Sequence, residues 1–418
     1  DNHNKLIAGA DGSNSAGKFS YLDATGNIQS FTIPTIMAPT DGKGDPLKKT
    51  SEVSPTDRLH VRINSTSLQR TYYYVGEAAR GKIDMVEPRT DGEGQTVENK
   101  STSELHFVNI LTGLATAAIL RFKDKLDDNS NLTVEVPYYG GLPIEEFKEV
   151  GSEGFLNRIK GNHTIEFLDG LHQGITVNFI VKSGEIYIEG ATTQMSLTND
   201  IKDNEIIDIP GVAEKLEEGD YVVGDLGAGT LDIALFEHDG LNGTSSTNHS
   251  FGTNLYIDRM ITDIAAHPKF EEVRTMLEEA GATVTSPYSN RDEFMKRVIK
   301  PVILEMLTTK DEKYKEKFTA SWGLERDVDV TEIVLKHMKD YYEGAVKLLK
   351  QFSITKAQDA RNFFLVGGGI LFAYPYFKDI KYFQLPPKDI IKEAQYFTSR
   401  AYLIAAKLGE LMAVDNNL

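Results

Sequence analysis

Two stretches of this 418-residue chain repeat one pattern at a distance, and that repeat restricts the fold more than any other feature. "DGSNSAGKFSYLDATG" runs from Asp11 to Gly26 and "DLGAGTLDIALFEHDG" from Asp225 to Gly240. Each opens with an aspartate after an apolar, strand-like run and passes through small residues. Each carries a charged residue seven positions on, Lys18 in one and Asp232 in the other. A short apolar strand then ends in an acidic residue and a glycine turn. Similarity over sixteen positions points to duplication, with two halves built on one plan.

The first copy contains G-x-x-x-x-G-K, from Gly12 to Lys18. A Walker A loop needs Ser or Thr directly after that Lys, to meet Mg²⁺, and a helix whose N-terminus faces the phosphates. Phe19 stands at the hydroxyl position, and the residues after Lys18 alternate as a strand does. The pattern instead predicts a β-hairpin with Asp at the entry of a tight turn whose backbone N–H groups face phosphate. Either copy alone could be an ordinary glycine-rich turn; two matching aspartates favour the phosphate reading.

Along the chain, residues 4–10 read as a buried strand, residues 17–22 and "GNIQSFTI" as two more, and residues 34–71, rich in Pro, Gly, Lys and Asp, as an irregular excursion or a small subdomain. "TYYYVGEAARG" returns to order, and residues 88–100 read as a polar loop. The spacing predicts a helix from about Ser103 to Phe122. From Leu132 to Glu189 the pattern is mainly β. Residues 190–219 read as a helix plus an acidic connector. Beyond Asn254 the chain reads as largely helical, with a long helix from about Val330 to Phe352 opened by Asp329 and Glu332 at capping-box spacing. "FFLVGGG" reads as a strand, and a last amphipathic helix is expected from about Asp389 to Met412. This order predicts two α/β halves.

Hydrophobic residues make up 40% of the chain and charged residues 26%, the balance of a soluble globular protein. No apolar run is expected to cross a bilayer. Cysteine is absent, which excludes disulfides and thiolate metal sites and suits an intracellular protein. The net charge of -17 makes direct nucleic-acid binding unfavourable, because phosphate contacts need clustered Lys and Arg. The nine His show no metal-ligand spacing.

"DGSNSAGK", "DLGAGTLD" and "FLVGGG" (Phe364 to Gly369) resemble, in order, the first phosphate loop, second phosphate loop and adenosine motif of the actin, hexokinase and heat-shock chaperone ATPase superfamily. "YYVGEAA" and the β-rich run ending at "IEG" are further similar to the plasmid-segregating bacterial actins of the ParM type. The resemblance implies an actin-like α/β fold, two ribonuclease H-like domains flanking a nucleotide cleft. On that reading residues 1–200 form domain I, with an inserted subdomain at about 34–100 and the final helix, about 389–418, packing back on it. Residues 201–388 form domain II.

The resemblance also implies the site. ATP, or GTP, binds as its Mg²⁺ complex, with Asp11 and Asp225 touching the metal through water; the same residue type also caps turns. Gly12, Ser13, Asn14 and Ser15 on one side, and Gly227, Ala228, Gly229 and Thr230 on the other, supply backbone contacts to phosphate. Lys18 is a candidate phosphate contact or a solvent-facing strand residue. Asp232 is expected near the cleft. Gly367, Gly368 and Gly369 leave room for adenine or ribose, or simply for a sharp strand–helix turn. Glu189 occupies the place of the catalytic Glu of ParM-like proteins, with Gln194 the weaker candidate.

The implied function is a filament-forming ATPase of the bacterial cytoplasm that polymerises with nucleotide, disassembles after hydrolysis and segregates plasmid DNA. Its partners would be further copies of itself and a small basic DNA-binding adaptor of the ParR type, with no direct contact to nucleic acid or membrane. Residues 34–71 are a candidate longitudinal contact. The alternatives are a sugar- or acetate-type kinase of the same superfamily and a non-hydrolysing scaffold.

Overall fold

The computed structural model describes residues 4–44, 54–68, 70–89 and 99–416. The chain divides into two compact units, Asp1–Ala213 with Tyr396–Leu418, and Glu214–Gln395.

In the first unit, β1 (Ala8–Gly12), β2 (Ala16–Leu22) and β3 (Ile28–Pro34) form an antiparallel sheet. A separate seven-stranded sheet has the order Asn4–Lys5, Asn131–Glu135, Thr176–Val181, Gly161–Phe167, Leu59–Asn64, Tyr72–Val75, Met37–Pro39. Helix α1 (Glu104–Phe122) packs across these strands, and Ser103 caps it by accepting the His106 N–H at 3.2 Å. Two glycines let α1 close on the hairpin. A Cβ at Gly17 would stand 1.9 Å from Asn109 Oδ1, and one at Gly113 would stand 2.1 Å from the Phe19 ring. Asn109 in turn donates to the carbonyls of Ile33 and Pro34, both at 3.1 Å. Phe19 is therefore a core residue, 1% exposed, which explains why no hydroxyl stands at that position. Helix α1 and the turn after it, Glu104–Lys125, are long and apolar enough to span a membrane, contrary to the sequence expectation; 89% of the apolar stretch is buried, which marks a core helix.

Strand β4 (Tyr138–Leu142) leads into helix α2 (Ile144–Ile159), and β5 (Gly184–Ile188) pairs parallel to β4. Several expectations need correction here. Residues 34–71 are not simply irregular: "LHVRIN" alternates and supplies a strand inside the large sheet, although residues 45–53 and 69 lie outside the described residues. Most of the polar loop at 88–100 also lies outside them. Residues 190–219 hold two short helices with a hairpin, Asn199–Lys202 to Glu205–Asp208, between them. The turn residues Asp203 and Asn204 have φ of 49° and 68°, which Asp and Asn tolerate better than other non-glycine residues. The last helix begins at Phe397 rather than Asp389 and runs to Asp415. It returns to the first unit through a buried ion pair, Arg400 to Asp200 at 2.7 Å.

In the second unit, β6 (Tyr221–Leu226), β7 (Leu231–Glu237) and β8 (Gly240–His249) form an antiparallel meander, and a later strand, β9 (Asn362–Val366), lies parallel to β6. The long helix α3 (Thr331–Lys356) buries Met338, Tyr341, Ala345 and Leu349 against this sheet. Its start differs from a capping box: Asp329 Oδ1 accepts the Thr331 N–H at 3.0 Å, and Glu332 stands in the first turn. The short helix α4 (Gly368–Phe372) follows β9 directly.

Candidate functional site

The two hairpins pair in the same register. Asp11 stands opposite Lys18, and Asp225 opposite Asp232; Gly12 faces Gly17, and Leu226 faces Leu231. The repeat in the sequence is thus a repeat in the ladder, with each aspartate one pair short of the turn.

The turns share a second property. Ser13 O accepts the Thr35 hydroxyl at 2.6 Å, and Ser15 O accepts the Thr35 N–H at 3.2 Å. Gly227 O accepts the Thr253 N–H at 3.3 Å, and Ala228 O accepts the Asn254 N–H at 2.9 Å. The last two donors open the helix Thr253–Ala265, whose first N–H groups need partners. A trans peptide points its C=O and its N–H in opposite directions. Carbonyls bonded into the protein at Ser13, Gly227 and Ala228 therefore turn the N–H groups of Asn14, Ala228 and Gly229 outward. Two other N–H groups close their own turns: Ser15 donates to Ser13 Oγ at 3.2 Å and Gly227 to Thr230 O at 2.9 Å. Asn14 Oδ1 is buried with no partner among the described residues. A buried acceptor of this kind costs about 1–3 kcal/mol unless something donates to it.

In the first unit a charged cluster lies beside Asp11. Glu189 follows β5, and its backbone N–H donates to Leu142 O at 2.9 Å. Its carboxylate is held by the ammonium of Lys100, a residue the sequence reading did not single out. Burial alone lowers the Lys100 pKa, but the carboxylates of Glu189 and Asp11 outweigh it and raise the lysine above its usual value. Burial, with the charges of Asp11 and Glu189, also raises the Tyr138 hydroxyl. Glu146 in α2 accepts the backbone N–H groups of Lys100, at 3.0 Å, and Ser101, at 2.5 Å. Lys18 is half-buried on β2, and Gln194 is exposed.

In the second unit Asp225, one residue before the end of β6, lies beside Gly367, which caps α4 at φ +97°. A Cβ at Gly367 would lie 2.5 Å from Asp225 Oδ1 and 2.6 Å from Leu226 O, so only glycine brings the strand end this close. A Cβ at Gly369 would meet the Tyr341 hydroxyl at 2.2 Å. Tyr341 is fully buried, and its hydroxyl pKa is raised by that burial and by Asp225. Gly368 has ordinary space beside Gln395. Asp232 accepts the Thr230 hydroxyl at 3.1 Å and the Asn248 amide, and so braces the turn.

One set of candidates, Asp11, the turn after it, Lys18 and Glu189, thus gathers in the first unit. The other, Asp225, Gly227–Thr230, Asp232 and Gly367–Gly369, gathers in the second. The signal for Lys100 was weak: a lysine in a polar stretch whose partner lies 89 positions away. Among the described residues no three His, Asp or Glu side chains are grouped to hold a metal ion directly.

Neither a protein-family model nor a curated protein sequence matches the chain significantly. Solved structures do. Bacillus thuringiensis ParM with ATP is 34% identical, with a TM-score of 0.78, over 98% of this chain and 100% of that one. The same protein with AMPPNP is 34% identical, with a TM-score of 0.76, over 97% and 99%. The actin-like protein Alp7A, 17% identical with a TM-score of 0.67 over 98% of each chain, shares the fold. The fold is the actin-like α/β fold, and the chain belongs to the ParM family of actin-like proteins.

Proposed function

We propose that the chain binds ATP as its Mg²⁺ complex, assembles into filaments with it, hydrolyses it within the filament and thereby segregates plasmid DNA. The observation that carries this reading is the 34% identity over nearly the whole chain to a ParM solved with ATP. The residues fit such a ligand. Asn14 Oδ1 awaits a donor, three turn N–H groups face outward, and Gly367 keeps a cradle beside Asp225 that any Cβ would fill.

Bound ATP with Mg²⁺ supplies a terminal phosphoryl group whose charge the metal partly neutralises. The chain's own residues do the rest. Asp11 and Asp225 hold the metal's water shell. The backbone N–H groups of Asn14, Ala228 and Gly229 bind phosphate oxygens. Gly367, Gly368 and Gly369 lie against the nucleoside, and Lys18 adds positive charge on the strand beside Asp11. Glu189 orients the attacking water and accepts its proton. The acidic chain reaches DNA through a small basic adaptor of the ParR type rather than directly. Head-to-tail contacts that do not close a ring give an open filament.

Electron microscopy of the purified protein with ATP, with GTP and without nucleotide tests this. Filaments with nucleotide alone are expected. A monodisperse protein that phosphorylates a sugar or acetate would overturn the filament in favour of a kinase. Filaments indifferent to nucleotide would favour a scaffold.

A further inference from the structure

Lys100 is held more firmly than a stray surface lysine. Its backbone N–H and that of Ser101 both donate to Glu146, 3.0 and 2.5 Å away. The Arg158 guanidinium donates to the carbonyls of Ser101, at 2.8 Å, and Ser103, at 3.2 Å. Glu146 and Arg158 lie in α2 on either side of its break at Gly151 (φ 73°, ψ 168°), so both halves of that segment tie the short stretch before α1. The Lys100 side chain is 9% exposed, and its ammonium ends on Glu189. An ammonium buried this deeply is stable only when paired. The Glu189 side chain is 31% exposed and that of Lys100 9%. The lysine is the buried member of the pair and the glutamate the more accessible one.

We propose that Lys100 is a positioning residue for hydrolysis: fixed by α2, it holds the Glu189 carboxylate in one orientation at the end of β5. The inference rests on the role given to Glu189 above. A catalytic carboxylate gains from such a restraint because a misplacement of about 1 Å can cost roughly 100-fold in rate. Glu189 stands between the end of β5 and Gly190, at φ +88°, and the ammonium of Lys100 pairs with its carboxylate there. Lys100 also shares the field of Asp11, which couples the hairpin to the same charge.

Four full-length variants test this: Lys100→Met, Lys100→Arg, Glu189→Gln and the Lys100→Met/Glu189→Gln double variant. Lys100→Met is expected to lower single-turnover ATP hydrolysis roughly 10- to 100-fold. Binding of non-hydrolysable AMPPNP should stay within about threefold, because the loss falls on the chemical step. Lys100→Arg restores most of the rate. In the Glu189→Gln background, Lys100→Met adds nothing further. Crystals of nucleotide-free Lys100→Met should show the Glu189 carboxylate displaced. If Lys100→Met fails to fold, Lys100→Gln takes its place in the comparison with Lys100→Arg. A Glu189→Gln variant with wild-type hydrolysis overturns the role of Glu189, and this inference with it. An inactive Glu189→Gln beside a Lys100→Met at wild-type rate, or an undisplaced Glu189, overturns the inference alone.

Discussion

Replacing Gly367 by alanine should damage the second unit while the same change one residue on should not. Gly367 has φ +97° and ψ 166°, a region essentially confined to glycine that costs another residue about 1–3 kcal/mol. The new Cβ would also stand 2.5 Å from Asp225 Oδ1, 2.6 Å from Leu226 O and 2.8 Å from Leu226 N. Two of these three atoms are backbone of the central strand and cannot rotate away. Overpacking of this kind costs typically about 1–3 kcal/mol. The smaller entropy of an unfolded chain carrying Ala returns only about 0.4–1 kcal/mol. The net loss is about 1–6 kcal/mol, and at roughly 2–4 °C per kcal/mol the unfolding midpoint of this unit falls by roughly 2–24 °C. At Gly368 the nearest atoms are Gln395 Cβ at 3.4 Å and Cα at 3.7 Å, which is ordinary contact. Gly368→Ala should stay within about 0.5 kcal/mol of the wild type. Calorimetric unfolding of both variants measures the difference. Equal midpoints would refute the steric reasoning and remove the ground for reading Gly367 as the residue that shapes the cradle.

Removing Asp200 by Asp200→Ala should destabilise the first unit by about 3–5 kcal/mol, because Arg400 is left as a buried, unpaired charge; denaturant titration against Arg400→Met with Asp200→Ala, which removes both charges and should recover much of the loss, checks it. His172 is 3% exposed, and burial, with Lys123 nearby, lowers its pKa from 6.5 to about 4. The folded state therefore resists protonation. Stability is full above about pH 6.5, where the unfolded chain is also neutral, and falls as pH drops toward 4, by on the order of 2–3 kcal/mol. Midpoints measured at pH 7 and pH 5 should differ less in His172→Gln than in the wild type.

Both hairpins were legible because their signals are local: an aspartate, small residues and a strand of period two, repeated with the same spacing. Helix α1 was legible for the same reason, with Ser103 at its cap and an apolar run behind it. What the sequence hid depends on distance or on polar composition. The strand Leu59–Asn64 alternates well, yet it lies among Pro, Gly and Lys that suggest a loop. The hairpin at 199–208 is short and mostly polar, and its Asp-Asn turn lacks the usual glycine. Lys100 acquires meaning only once Glu189, from another strand, and Glu146, from α2, are brought to it. The strained aspartate–glycine approach at Asp225 and Gly367 joins residues far apart in the chain, and three consecutive glycines only hinted at it.

Sedimentation of the wild type and of Asp225→Ala, each with ATP, ADP or no nucleotide, bears most directly on nucleotide-driven assembly. The wild type should pellet with ATP and far less with ADP or without nucleotide, while Asp225→Ala stays in the supernatant throughout. Equal pelleting of the two proteins in all three conditions would contradict it.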